Sequence, residues 1–268
     1  MESASILKEE FEEKLLQIAA ATDAFEGYAH PHAARIAVLA DALAQKFNLA
    51  SHDRFSLQQA ALVHDIGETL MNREYFKARR LLRADERVDM QRHPVIGEQE
   101  AAKQGLSRAV QLLVRWHHEW WNGTGYPDAL EQEHIPLAAR ILRVADTYAA
   151  LTDDRPYKAA ISAEEARKYL VEWAGIEFDP KIVKAFLALE NLQELESYAA
   201  SNEKPTPEAE ISEQIAPEIF AAPEPDNSEM GEPQAAETVN SQIPEAEENS
   251  GKDAEQDKVY TQFWDNYK

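Results

Sequence analysis

The 268-residue sequence contains no cysteine. That excludes disulfides, thiolate zinc sites and a cysteine nucleophile. It also has no apolar run near the roughly 20 residues that a membrane span requires. The opening Met1-Glu2-Ser3-Ala4 carries no signal-peptide pattern. These absences predict a cytoplasmic protein with no membrane association. Positive charge is scarce: 27 Lys and Arg stand against 49 Asp and Glu, a formal net charge of −22. Wrapping duplex nucleic acid needs many basic phosphate contacts, so duplex DNA and RNA are excluded as partners. Small phosphate esters stay open if a bound metal supplies positive charge locally. No convincing strand pattern and no internal repeat interrupts the helical periodicity.

What the chain has is a series of amphipathic helices. Residues 3–24 place Ile6, Leu7, Phe11, Leu15 and Ile18 on one side. A helix beginning after Pro31 carries the stripe Ile36, Leu39, Leu43 and Phe47, with His32 one turn ahead on the same stripe. A third helix has Leu57, Ala60, Ala61, His64 and Glu68 on one face. Met90, His93, Ile96 and Gly97 indicate another, with Pro94 in its first turn. Leu106, Val110, Leu113, Val114 and His117 continue the pattern until Asn122-Gly123, Gly125 and Pro127 break it. A long helix follows Ile135-Pro136, with Asp146 beside its stripe, and two more cover about 163–173 and 180–195. The fold class is all-α.

Composition changes near Ser201. From there to the end, 17 acidic residues face four lysines, and seven of the 13 prolines fall in this stretch. Such a segment buries too little apolar surface to offset its ordering entropy, so a disordered acidic C-terminal tail is expected. The aromatic ending Val259–Lys268 could dock a protein partner. Three regions result: an N-terminal helix at 1–27, a helical domain at 28–195 and the tail at 196–268.

His32, His64, Asp65, His93, His117, His118 and Asp146 all fall at inward-facing positions. A buried polar group without a partner costs about 1–3 kcal/mol. Five such histidines would rival the roughly 5–15 kcal/mol stability of a whole domain. Shared carboxylates and metal ions resolve that conflict, and imidazole with carboxylate suits Fe, Mn or Zn rather than Ca. Adjacent helical side chains diverge by about 100°, so His117 and His118 suit two neighbouring ions better than one. Glu119 is a candidate to orient one of the imidazoles. Trp116, Trp120 and Trp121 either stack a base or pack the core. His30, His52 and His134 fit no stripe and are expected on the surface.

The ordered series His64-Asp65, His93-Pro94, His117-His118-Glu119, Asn122-Gly123-Thr124-Gly125-Tyr126-Pro127, Ile135-Pro136-Leu137, Ala145-Asp146 and Leu151–Tyr157 resembles the HD-GYP phosphohydrolases. The resemblance covers about residues 28–190. It implies an HD-domain helical bundle that acts in bacterial signalling as a phosphodiesterase on a cyclic dinucleotide, chiefly cyclic di-GMP. It further implies two divalent metal ions, Fe or Mn in preference to Zn, and attack by a metal-bridging hydroxide. The implied ligands are His32, His64, Asp65, His93, His117, His118 and Asp146, with Asp65 bridging. The implied substrate contacts are Arg155 and Lys158, with Gly125 and Tyr126 of the GYP loop.

The chain departs from that pattern at three positions. Glu68 stands where many such proteins carry a phosphate-facing lysine. His64-Asp65-Ile66-Gly67-Glu68 is similar instead to the HDxxE pattern of HD-type nucleotidases and ppGpp hydrolases, in which the acid handles protons or water. That keeps another nucleotide phosphohydrolase open, beside a metal-stabilised module that senses nucleotide or scaffolds partners without catalysis. Tyr28 stands where trinuclear members place a glutamate, which favours two ions. Asn122 replaces an aspartate and suits the same turn.

Overall fold

A computed structural model describes residues 2–77, 80–155 and 158–189, with Leu192 and Leu195, and it includes side chains from residue 10 onward. The acidic segment 196–268, its expected disorder and its possible docking motif lie outside the described residues. So does Tyr157 of the family-like motif.

The apolar periodicities become helices α1 (Glu2–Glu26), α2 (His32–Lys46), α3 (Ser51–Val63), α4 (Ile66–Met71), α5 (Ala84–Met90), α6 (His93–Lys103), α7 (Arg108–Trp116), α8 (Leu137–Thr152), α9 (Ala163–Glu172) and α10 (Pro180–Leu187). Short 3-10 turns occupy Glu74–Lys77 and Gln132–His134. Among the described residues the only β-type pairings are isolated bridges, which agrees with the all-α expectation. No helix of the described residues is long and apolar enough to cross a membrane.

Local chemistry sets the helix ends. Ser107 accepts from Val110 N to cap α7, and Asp179 accepts from Lys181 N to cap α10. Ser162 and Glu165 form a capping box on α9, a device typically worth about 1 kcal/mol. Pro94 and Pro180 occupy first-turn positions, where a missing N–H breaks no helical bond.

Two expected helices are each divided. The face running from Leu57 to Glu68 is split at His64-Asp65: His64 still has helical angles, but Asp65 has φ −102° and ψ 18°. Met90 ends α5, and His93 opens α6 three residues later. Pro94 cannot donate the backbone bond that a continuous helix would require there, so the chain starts a new helix. α10 stops at Leu187, inside the range expected for one helix to residue 195, and Leu192 and Leu195 beyond it are again helical.

α2 forms the centre, packed on α3 and α8, while α6 lies against α7 and α4. Ile36, Leu39 and Leu43 of α2 meet Leu57, Val114, Ile141 and Tyr148 in one buried cluster. Each such side chain contributes roughly 1.5–3 kcal/mol on burial. α1 packs on α3 and α4. It buries Leu15 in the same cluster and brings Asp23 and Glu26 inward at its C-terminal end.

The approach of α4 to α6 depends on two glycines. A Cβ on Gly67 would lie 2.1 Å from His93 O, and one on Gly97 would lie 2.9 Å from a Val114 methyl group. Without side chains there, the start of α4 touches the start of α6, and Asp65 reaches His93.

Candidate metal centre

The candidate ligands lie at helix ends, apart from Asp146. His32 opens α2, His64 follows α3, His93 opens α6, and His117 and His118 follow α7. Asp146 projects from within α8. All seven expected ligands are buried and converge. His30, His52 and His134 are exposed, as expected.

The donor atoms fall into two main groups. One holds Asp65, His93, His117 and His118; the other holds His32, His64 and Asp146. Asp65 spans both. Its Oδ1 lies 3.1 Å from His93 Nε2 and 3.2 Å from His117 Nε2, while its Oδ2 lies 3.1 Å from His64 Nε2. Asp146 Oδ1 is 3.8 Å from His64 Nε2 and 3.9 Å from His32 Nε2.

Hydrogen bonds behind the rings determine which nitrogen faces inward. Nδ1 of His64, His93 and His117 donates to the carbonyls of Ala61, Met90 and Val114 at 3.0, 2.8 and 2.6 Å. His32 Nδ1 lies 2.7 Å from Asp153 Oδ2. With the hydrogen on Nδ1, a neutral imidazole presents a bare Nε2. The Nε2 atoms of His93 and His117 are 3.3 Å apart, so two lone pairs face each other beside a carboxylate oxygen. His64 Nε2 and Asp65 Oδ1 are enclosed without a hydrogen bond of acceptable geometry. Lone pairs arranged this way are complementary to cations, and the donor set fits divalent metal ions.

The same carboxylates that are complementary to a cation also favour a proton at His64. Burial opposes the charged form of His64, but Asp65, with Asp146 and Glu26, outweighs it and raises the imidazole to about 10. Burial likewise opposes the charged form of Asp65, yet His64, His117 and His93 hold its carboxyl well below the usual range. Burial lowers His117, and it lowers His118 further with help from His117 and Arg143. The carboxylate therefore stays ionised among imidazoles.

A third set of donors contains Glu26, Asp65 and Glu68. Glu26 is 6 % and Glu68 9 % exposed, so Glu68 is not a solvated surface residue. Burial, then repulsion from Asp65, pushes Glu26 well above the ordinary carboxyl range.

Several expectations change. His117 and His118 belong to one donor group rather than two. His117 keeps helical angles as the C-cap of α7, with φ −67° and ψ −14°, yet its ring centre lies only 4.0 Å from that of His118. Glu119 orients no imidazole; its carboxylate accepts from Asp128 N and Leu130 N at 2.7 and 2.9 Å and holds the following loop. Trp120 is buried in the core and packs against Trp173, while Trp116 is half-buried against the same core and donates to Asp128. A Cβ on Gly125 would lie 2.2 Å from Trp120 N, which makes this glycine a close-packing position behind the histidines. Tyr126 is buried with its ring stacked on His118. Asn122 accepts from Thr124 N and Thr124 Oγ1, a turn that its side chain closes.

Arg155 and Lys158 pair through their backbones at 2.9 and 3.0 Å. The Arg155 guanidinium sits 4.9 Å from the Tyr28 ring centre, and Tyr28 stacks on His32 at 3.8 Å. Burial, then Arg155, lowers the Lys158 ammonium to about 7.

Sequence reasoning did not find Asp23, Glu26, Arg143 and Glu177, and it quoted Asp153 without a role. Arg143 had one visible signal: it is the sole charge between Ile141 and Ala145, one turn before Asp146.

The sequence matches the HD domain family over residues 17–182. Over 68 % of its length it is 35 % identical to the cyclic di-GMP phosphodiesterase response regulator RpfG of Xanthomonas campestris pv. campestris, covering 48 % of that protein. Over 73 % of its length it is 30 % identical to the 3'3'-cGAMP-specific phosphodiesterase 2 of Vibrio cholerae, covering 37 % of it. The chain thus spans about half or less of the length of these relatives. Among solved structures, a cyclic GMP-AMP-specific phosphodiesterase of V. cholerae (V-cGAP3) superposes with a TM-score of 0.54 at 19 % identity, over 69 % of this chain and 50 % of that one. That likeness concerns the fold alone.

Proposed function

Because this chain belongs to the HD domain family, we propose that it is a metal-dependent phosphodiesterase that opens a cyclic dinucleotide, with cyclic di-GMP first among them. The observation that carries this reading is the position of Asp65, which offers one oxygen to His93 and His117 and the other to His64. Such a carboxylate would hold two ions jointly, one with His32, His64 and Asp146 and the other with His93, His117 and His118, a division that the grouping of the donor atoms supports. Two bound ions would supply an acidified water and neutralise charge that builds on the phosphoryl oxygens. The donor set contains no thiolate; imidazole with carboxylate suits Fe, Mn or Zn, and the resemblance to the HD-GYP proteins favours Fe or Mn.

The chain's own residues do the rest. Arg155 lies beside the His32 group and holds a substrate phosphate through its planar donors. Lys158 supplies a second positive charge next to it. Glu68 orients water or moves a proton near Asp65. Water adds across one phosphodiester bond, leaving a linear dinucleotide with one free hydroxyl and one phosphomonoester.

A second reading is favoured by Glu68, whose buried carboxylate repels a phosphodiester where a lysine would attract it: another nucleotide phosphohydrolase, of the nucleotidase or ppGpp-hydrolase kind, in place of a cyclic dinucleotide enzyme. The test is anaerobic purification with metal analysis, then hydrolysis of cyclic di-GMP, 3'3'-cGAMP and ppGpp. About two Fe or Mn ions per chain are expected, and His64→Ala with Asp65→Ala should remove most of them. Full metal content in that double variant, or hydrolysis of ppGpp alone, would reject the leading reading.

A further inference from the structure

Behind the five imidazoles the chain places three different kinds of partner. His64, His93 and His117 back onto carbonyl oxygens. His32 backs onto a carboxylate, Asp153 Oδ2 at 2.7 Å, which Arg35 holds from its other oxygen at 2.6 Å. His118 is the opposite case. Its Nδ1 lies 2.9 Å from Arg143 Nη1, and a guanidinium only donates. Nδ1 of His118 must therefore accept, and the ring hydrogen of the neutral imidazole sits on Nε2. Arg143 is 2 % exposed and anchored by Glu177 Oε1 at 2.5 Å, with Asp146 Oδ2 at 3.3 Å.

The consequences for a cation are unequal. A carboxylate behind an imidazole fixes the ring and strengthens its donor nitrogen. An ion approaching His32 meets a bare, reinforced Nε2. An ion approaching His118 meets an N–H at Nε2, or must displace the guanidinium from Nδ1. Arg143 also sets a buried positive charge beside this position.

Resting on the metal-centre reading above, we infer that the two metal positions are unequal by construction. The His32, His64 and Asp146 position binds its ion tightly, and the Asp65, His93, His117 and His118 position holds an exchangeable ion. Asp153 and Arg143 are the positioning residues that create the difference.

The test is titration of the metal-stripped full chain with Mn2+ under anaerobic conditions, following free Mn2+ by electron paramagnetic resonance. The wild-type protein should show two classes of site whose affinities differ by about 10–100-fold, the range over which residues behind a metal ligand act. Asp153→Asn should weaken the tight class and leave the other unchanged. Arg143→Gln combined with Glu177→Gln, which removes the closest buried ion pair as a unit, should tighten the weak class about tenfold. Nitrogen NMR of the metal-free protein should show His118 alone among the five with a bare Nδ1, a signature that the Arg143 variant loses. Two equal sites in the wild type would overturn the inference while leaving the metal centre standing. An unchanged weak class in the double variant, or a hydrogen on Nδ1 of His118, would do the same. No Mn2+ uptake at all would reject the metal centre and the inference with it.

Discussion

At Glu68 the chain places a carboxylate, 9 % exposed, within reach of Asp65 and Glu26, where the HD-GYP proteins it resembles often carry a lysine. Three carboxylates this close do not all stay charged without a cation or a shared proton, and burial, then repulsion from Asp65, pushes Glu26 well above the ordinary carboxyl range. Glu68→Gln is expected to lower kcat by about 100-fold or more, the usual contribution of a positioned acid or base, with metal content unchanged by elemental analysis. Wild-type turnover in that variant would return Glu68 to a packing role. Lys158 titrates differently. Its folded value of about 7 lies below the ordinary 10.5 because of burial and Arg155. The ammonium is charged below pH 7 and neutral above, so its attraction for a phosphate is present on the acid side and lost as pH rises through 7. Its effect on stability runs the other way: between about 7 and 10.5 the unfolded chain binds more protons, and stability gains with pH. KM measured from pH 6 to 9 should rise above 7, and Lys158→Arg should flatten that rise. The ligand histidines were legible because they interrupt apolar stripes. Asp153 was not, since its bond to His32 joins positions 121 apart, and no local pattern encodes that distance.

At the scale of elements, the site depends on where helices stop. Five histidines sit at helix ends, where a ring can turn inward with its Nδ1 on a carbonyl of the last turn or of the connecting residues. The contact of α4 with α6 is the tightest of these joints, because Gly67 leaves no room for a Cβ beside His93 O. Gly67→Ala should push the two helices apart and draw Asp65 away from His93. A loss of about 1–3 kcal/mol, typical of overpacking, is expected in denaturant melts, together with reduced metal content in the folded fraction. Unchanged stability and full metal would show that α4 shifts without cost. Helix existence was readable from periodicity for every long element. The breaks at His64-Asp65 and at Gln91-Arg92 were not, because an apolar stripe continues across a kink as readily as through a straight helix.

For the molecule as a whole, we propose that the fold ends near Leu195 and that the acidic segment beyond it contributes no core. A chain truncated after Leu195 should keep its thermal midpoint within about 2 °C, equivalent to a fraction of a kcal/mol for a domain of this size, and should keep its hydrolytic activity. A larger fall would move the boundary outward. The sequence alone determined the all-helical class, because a 3.6-residue apolar period is a local property that needs no tertiary partner. It also determined the seven candidate ligands, because buried imidazoles without partners are too costly to occur by chance. Only the tertiary structure decided how those candidate side chains fall into two donor groups, which imidazoles each oxygen of Asp65 faces, and that Arg143 stands behind His118 while Asp153 stands behind His32. Those outcomes depend on how helices distant in the chain cross and on which rotamer each side chain takes in the packed core, and packing is a property of the assembled bundle, not of any one segment.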